Sequence, residues 1–162
     1  MSQSPFTTLR ARLKTLPRLH LASLPTPLQK LSRLSEAIEG PNLYVKREDL
    51  TGMALGGNKI REFEFQIAQA VERGCDVLVH SAGSQSNQSR VTAAVAAKLG
   101  LKAVVIGRQD GHQQNQGNLL LTHLFGAEVH LPEMGQQEAA VEEKMEALRF
   151  AGTEGIVGPP VE

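Results

Sequence analysis

The chain has 162 residues, enough for one domain or for one domain with an arm. Lys plus Arg equals Asp plus Glu at 17 each, which excludes a general electrostatic pull toward nucleic acid or an anionic membrane. Hydrophobic residues reach 41% and aromatics only 4%, so the expected core is aliphatic and alanine-rich.

Residues 1–30 read as an arm. Pro5, Pro17, Pro25 and Pro27 interrupt any long helix, and the apolar residues keep no period. The first twenty residues hold no continuous apolar stretch and no segment reaches the length of a membrane span, so the cytoplasm is the expected location. Leu28 to Ile38 predicts a short helix ended by Gly40-Pro41, and Asn42 to Lys46 a strand. Lys46-Arg47-Glu48-Asp49 reads as a solvated charge run leading into a glycine-rich loop that ends at residue 57. A helix begins near Asn58, a good N-cap type, with Ile60, Phe63, Ile67, Ala70 and Val71 at helical spacing and Gly74 as its stop.

Cys75 is the single cysteine; it cannot form an internal disulfide and reads as a buried structural thiol. Asp76 to His80 predicts a short apolar strand. The polar loop 81–89 then runs into an amphipathic helix marked by Val91, Ala94, Val95 and Leu99 and ended by Gly100. The pattern repeats: a strand at 102–106, a helix at 118–125, a strand at 127–131, and a last helix marked by Ala140 or Val141, Met145 and Leu148. The tail, 152–162, has no clear period and offers one strand at most. Strands alternating with helices predict an α/β fold, a parallel sheet with flanking helices and right-handed crossovers. In such sheets ligands bind at the carboxyl ends of strands, a place that fits the polar loops 52–59 and 81–89.

Three motifs carry the functional reading. Gly56-Gly57-Asn58-Lys59 lacks the Gly-Lys-Ser/Thr ending of a phosphate-binding P-loop, and no Gly-x-Gly-x-x-Gly follows a strand. On spacing alone, a tight turn with a solvated Lys59 is the favoured reading. The other is a nucleophilic lysine: the helix dipole stabilises a neutral amine in the first turn, and flanking glycines would admit a ligand closely. Ser84-Gln85-Ser86-Asn87-Gln88 is too rich in hydrogen-bonding groups for a simple turn. Ser86 or Asn87 could cap the following helix, and its free N–H groups could also hold a carboxylate. His20, His80, His112, His123 and His130 show no metal-ligand spacing and read as surface or strand-end residues, so no metal is expected.

Together, Lys46-Arg47-Glu48-Asp49, Gly56-Gly57-Asn58-Lys59 and Ser84 to Gln88 closely resemble the 1-aminocyclopropane-1-carboxylate deaminase and D-cysteine desulfhydrase family. These are pyridoxal-phosphate enzymes of the tryptophan-synthase-β-like fold, fold type II. The likeness runs from about Pro25 to about Leu148. It implies that Lys59 is the lysine bonded covalently to pyridoxal phosphate. It implies that Asn87 hydrogen-bonds the cofactor's 3′ oxygen, and that Ser86 holds the substrate carboxylate or moves a proton. Asn58 and Gln88 match the motifs and would shape the pocket. The stretch from Thr51 to Lys59 looks nearer the desulfhydrase branch. The activity implied is β-elimination from D-cysteine, giving pyruvate, ammonia and sulfide; the alternative is deamination of 1-aminocyclopropane-1-carboxylate.

Two departures stand out. Glu62 occupies a position that is usually basic in the family, and members are roughly twice this long. The resemblance therefore implies a truncated small domain at 51–150, an arm at 1–50 that normally packs on a larger domain, and a divergent tail at 151–162. A small amino acid is the expected substrate, with a homodimer or a complementing chain as the expected protein partner. A catalytically inactive fragment and a small-anion binding module are the remaining readings.

Overall fold

The structure, a computed structural model, describes residues 5–108, 115–150 and 155–157. Helix α1 spans Pro5–Lys14, with proline at the first helical position, where its missing N–H costs nothing. The predicted helix at 28–38 divides in two. Leu28–Lys30 is strand β1, and only Ser32–Ala37 is helical, as α2. Strand β2, Tyr44–Lys46, pairs antiparallel with β1, which draws residues 28–30 into extended backbone.

The rest is a four-stranded parallel sheet in the order β5-β4-β3-β6, with β3 Val77–Gly83, β4 Lys102–Arg108, β5 Glu128–His130 and β6 Gly155–Val157. Its helices are α3 Lys59–Glu72, α4 Asn87–Leu99, α5 Gly117–Leu124 and α6 Gln137–Phe150. The fold class matches the expectation, and the tail does supply one strand, β6, beside β3.

Residue alternation sorts the two faces of the sheet. Leu78, Ala103 and Val105 pack with Ile60, Phe63, Ile67, Val91, Val95 and Ala96 from α3 and α4. Val77, Val79, Val104 and Ile106 pack with Ala140, Val141, Met145 and Leu148 from α6. The central runs Val77–Val79 and Ala103–Ile106, covered on both faces, are apolar throughout, as expected for a parallel sheet. Cys75 belongs to the first cluster and is buried, as its sequence context predicts. Among the described residues, no helix is long and apolar enough to cross a membrane.

Candidate active site

The Gly-Gly-Asn-Lys turn is built by close backbone approach. Gly56 has φ +79°, and a Cβ there would stand 2.0 Å from the Asp49 carbonyl oxygen. The space that a ligand was expected to use beside Gly56 is thus filled by the chain itself. The Gly57 N–H donates to the Glu48 carbonyl at 2.8 Å. Thr51 Oγ1 lies 3.1 Å from both the Glu48 and the Gly57 carbonyl oxygens. These bonds deliver Lys59 to the first position of α3, with its side chain about one-third exposed. Asn58 is exposed and already helical in its backbone, and its side chain makes no capping bond, so the predicted cap is not formed.

The polar loop expected at 81–89 is shorter than predicted, because β3 continues through Ser81, Ala82 and Gly83. Ser86 is the N-cap of α4, and its Oγ accepts from the Gln88 N–H at 3.1 Å. Asn87 opens the helix and is exposed; Gln88 is buried. The loop is tied to α5. Gln85 Oε1 accepts from the Asn118 N–H at 2.9 Å and Gln85 Nε2 donates to the Gln116 carbonyl at 3.2 Å. Gln85 therefore supplies the cap that Gln116, at the N-cap of α5, does not supply itself.

One contact joins the two motifs: Arg90 Nη2, one turn into α4, donates to the Gly56 carbonyl at 3.0 Å. The Lys59 turn is thereby held near the first turn of α4. Three buried polar atoms lie around this junction without a hydrogen-bond partner: His80 Nε2, Ser89 Oγ and Arg90 Nε.

His80 corrects a reading from sequence. It is a mid-strand residue of β3, 3% exposed, and its parity with Leu78 places it on the α3/α4 face. Burial, and then the positive charge of Lys59, push its pKa down from 6.5 to about 4. The unfolded chain takes up a proton at His80 through the window from pH 6.5 to 4 while the folded chain does not. Stability from this residue is complete above pH 6.5 and declines as the pH falls. The gap corresponds to about 3 kcal/mol at most. In urea unfolding followed from pH 7 to pH 4, His80→Leu is expected to show a flatter decline than the wild type; equal slopes would remove the assignment.

The charge run is less solvated than its composition suggested. Glu48 binds Arg61 and Thr26 Oγ1, the latter at 2.7 Å, and Lys46 Nζ donates to the Thr26 carbonyl. Bonds from Arg61 first, then Thr26, pull the Glu48 pKa down to about 2. Within the run, Arg47 and Asp49 form the more exposed pair, at 2.6 Å. Arg61 is thus committed to Glu48. Glu62 is exposed, accepts from Gln66 Nε2 at 2.7 Å and lies 3.9 Å from Lys59 Nζ.

Glu64 carried no sequence signal. It is 1% exposed, yet Arg18 Nε and Nη2 donate to its Oε2 at 2.8 and 2.6 Å, and the Leu21 and Ala22 N–H groups donate to its Oε1, each at 2.9 Å. Burial alone would raise its pKa, but the Ala22 N–H, Arg18 and the Leu21 N–H outweigh it and hold the carboxyl below its ordinary value. This carboxylate fastens residues 18–22 to α3. Among the described residues, no three of His, Cys, Asp or Glu stand close enough to hold a metal ion. His112 lies outside the described residues.

Comparison with known proteins bears on this arrangement. The model of the family described as pyridoxal-phosphate dependent enzyme matches residues 19–160. The chain is 45% identical over 152 residues to a D-cysteine desulfhydrase of Yersinia pestis, covering 88% of this chain and 46% of that protein. It is 41% identical over 153 residues to a putative 1-aminocyclopropane-1-carboxylate deaminase of Pyrococcus abyssi, covering 93% and 46%. A solved structure described as an ACC deaminase homologue superposes with a TM-score of 0.84 at 34% identity, covering 98% of this chain and 48% of that one. The chain spans about half the length of the curated relatives it matches.

Proposed function

The chain belongs to the pyridoxal-phosphate dependent enzyme family, and from that premise we propose that it carries the reactive lysine of a lyase acting on D-cysteine. The products would be pyruvate, ammonia and sulfide. The observation that supports the reading is the Arg90 bond to the Gly56 carbonyl, which ties the turn leading to Lys59 to the first turns of α4, the helix that Ser86 caps and Asn87 opens. The identity to desulfhydrases supports the choice of substrate. The likeness to the Pyrococcus abyssi protein and to the solved homologue supports 1-aminocyclopropane-1-carboxylate as the second substrate reading.

The residues present fit one end of the cofactor. The Lys59 amine would hold the aldehyde carbon, and Asn87 would donate to the neighbouring phenolic oxygen. Asn58 and Gln88 would border the ring. The phosphate end has no such provision among the described residues near Lys59, because Arg61 is paired with Glu48 and Glu62 is an anion. When bound, the cofactor supplies an electron sink that stabilises negative charge at the substrate's α carbon. Lys59, released by the substrate amine, would take the α proton. Ser86 Oγ already accepts from the Gln88 N–H, so its own hydrogen remains to be donated to the substrate carboxylate. Holding carboxylate and α carbon together in this way is a positioning effect, where small errors are costly.

The test uses the 162-residue chain. It is incubated with pyridoxal phosphate, reduced with borohydride and mapped by peptide mass, with Lys59→Ala as the control. A single adduct at Lys59 that disappears in the variant is the expected result. Labels scattered over many lysines, or none at all, would sink the reading and leave this chain as the inactive fragment.

A further inference from the structure

Asn118 stands at the second position of α5 and has no part in the motifs of either loop. Its side chain nevertheless reaches the Ser84–Gln88 loop at two points. Asn118 Nδ2 donates to the Gln85 backbone carbonyl at 2.7 Å, and the same Nδ2 lies 3.1 Å from Asn87 Oδ1. The two bonds settle an orientation between them. A backbone carbonyl only accepts, so the atom of Asn118 facing Gln85 must be the nitrogen. That nitrogen carries two hydrogens, and the second points to Asn87, whose facing atom must then be the oxygen. Asn87 is therefore held with Oδ1 toward α5, and no described residue accepts from its Nδ2.

The approach is prepared on both sides. Gly117 has φ +56°, and a Cβ there would stand 2.5 Å from Gln85 Oε1, so the glycine lets the Gln85 side chain lie across the start of α5. Gln85 in turn accepts from the Asn118 N–H, which holds the residue whose side chain orients Asn87.

We propose that Asn118 is a positioning residue that locks the Asn87 amide so that its Nδ2, a donor, faces the ligand beside Lys59. This rests on the reading of Asn87 as the donor to the cofactor's phenolic oxygen. An Asn free to rotate would present oxygen or nitrogen at similar cost, and an oxygen presented to a phenolate is repulsive. The lock removes the wrong choice before binding.

The sharpest variant is Asn118→Asp. A carboxylate only accepts, so Asn87 would turn its Nδ2 toward residue 118 and present Oδ1 to the ligand. Asn118→Ala removes the lock without reversing it. The first arm needs no cofactor: side-chain amide NMR of the free protein with 15N-labelled asparagine. In the wild type, the Asn118 Nδ2 hydrogens should be protected from exchange while those of Asn87 exchange with water. In Asn118→Asp, the Asn87 hydrogens should become the protected pair. Protected Asn87 hydrogens in the wild type, or no change in the Asp variant, would overturn the proposal. The second arm is titration with pyridoxal phosphate followed by visible absorbance. Asn118→Asp should weaken binding roughly tenfold more than Asn118→Ala and move the pH at which the bound chromophore titrates. Equal behaviour of the two variants would overturn the proposal. If the wild type forms no adduct at Lys59, the cofactor reading fails, and the NMR arm still decides the orientation.

Discussion

Glu64→Ala is expected to lower the free energy of unfolding by about 3–5 kcal/mol, the usual cost of breaking a buried ion pair from one side. The carboxylate is buried and serves three donors: the Arg18 guanidinium and the N–H groups of Leu21 and Ala22. Removing it leaves the Leu21 N–H, which is buried, without its acceptor, and frees an arginine that also lies 5.2 Å over the Phe65 ring. Glu64→Gln should cost less, because an amide oxygen still accepts from the two N–H groups while its nitrogen faces Arg18. Urea unfolding followed by circular dichroism gives the numbers, and limited proteolysis should show earlier cleavage around residues 15–25 in Glu64→Ala. A loss below about 1 kcal/mol would mean that residues 18–22 are held by packing, with the carboxylate incidental. The sign with pH follows from the depressed pKa. The contribution is complete above the ordinary carboxylate range and is lost as the solution becomes more acid than that.

Gly56→Ala should be nearly as costly, and for a different reason. A Cβ at position 56 would lie 2.0 Å from a backbone oxygen, Asp49 O, which cannot rotate away as a side chain would. The positive φ adds roughly 1–2 kcal/mol of strain. A total loss above about 2 kcal/mol is expected, together with weaker borohydride trapping at Lys59, because the turn that delivers the lysine must open. Gly57→Ala is the comparison. Its φ is +117°, but the nearest atom to a new Cβ is Arg90 Nη2 at 3.7 Å, so it should show strain without a clash. If Gly56→Ala lost no more stability and no more trapping than Gly57→Ala, the close approach of Asp49 would not be what shapes the turn.

The two predictions differ in how far they could be read from sequence. Gly56 lies in a motif that already marked a tight turn, whereas the element that crowds it, Asp49, was read only as part of a charge run. Glu64 looked like any polar residue on an amphipathic helix, and its burial depends on residues 18–22 folding back over α3. That contact spans more than forty positions of chain, and no local pattern announces it. His80 is a similar case: its sequence context placed the end of the strand there, and the structure carries the strand on to Gly83.

By itself the sequence determined the alternation of strand and helix, the parallel sheet, and the two motifs on which the proposed cofactor chemistry rests. Each of these rests on short-range periodicity, turn residues and residue type. It also narrowed the cap of α4 to Ser86 or Asn87, because an N-cap bond closes within two or three residues, and the structure decided for Ser86. Tertiary structure alone decided which groups these motifs meet. Arg90 ties Gly56 to α4, Asn118 orients Asn87, Glu48 takes Arg61, and Glu64 takes the arm. Hydrogen bonds between distant segments depend on the direction of side chains after the sheet has assembled, and residue spacing carries no record of that direction.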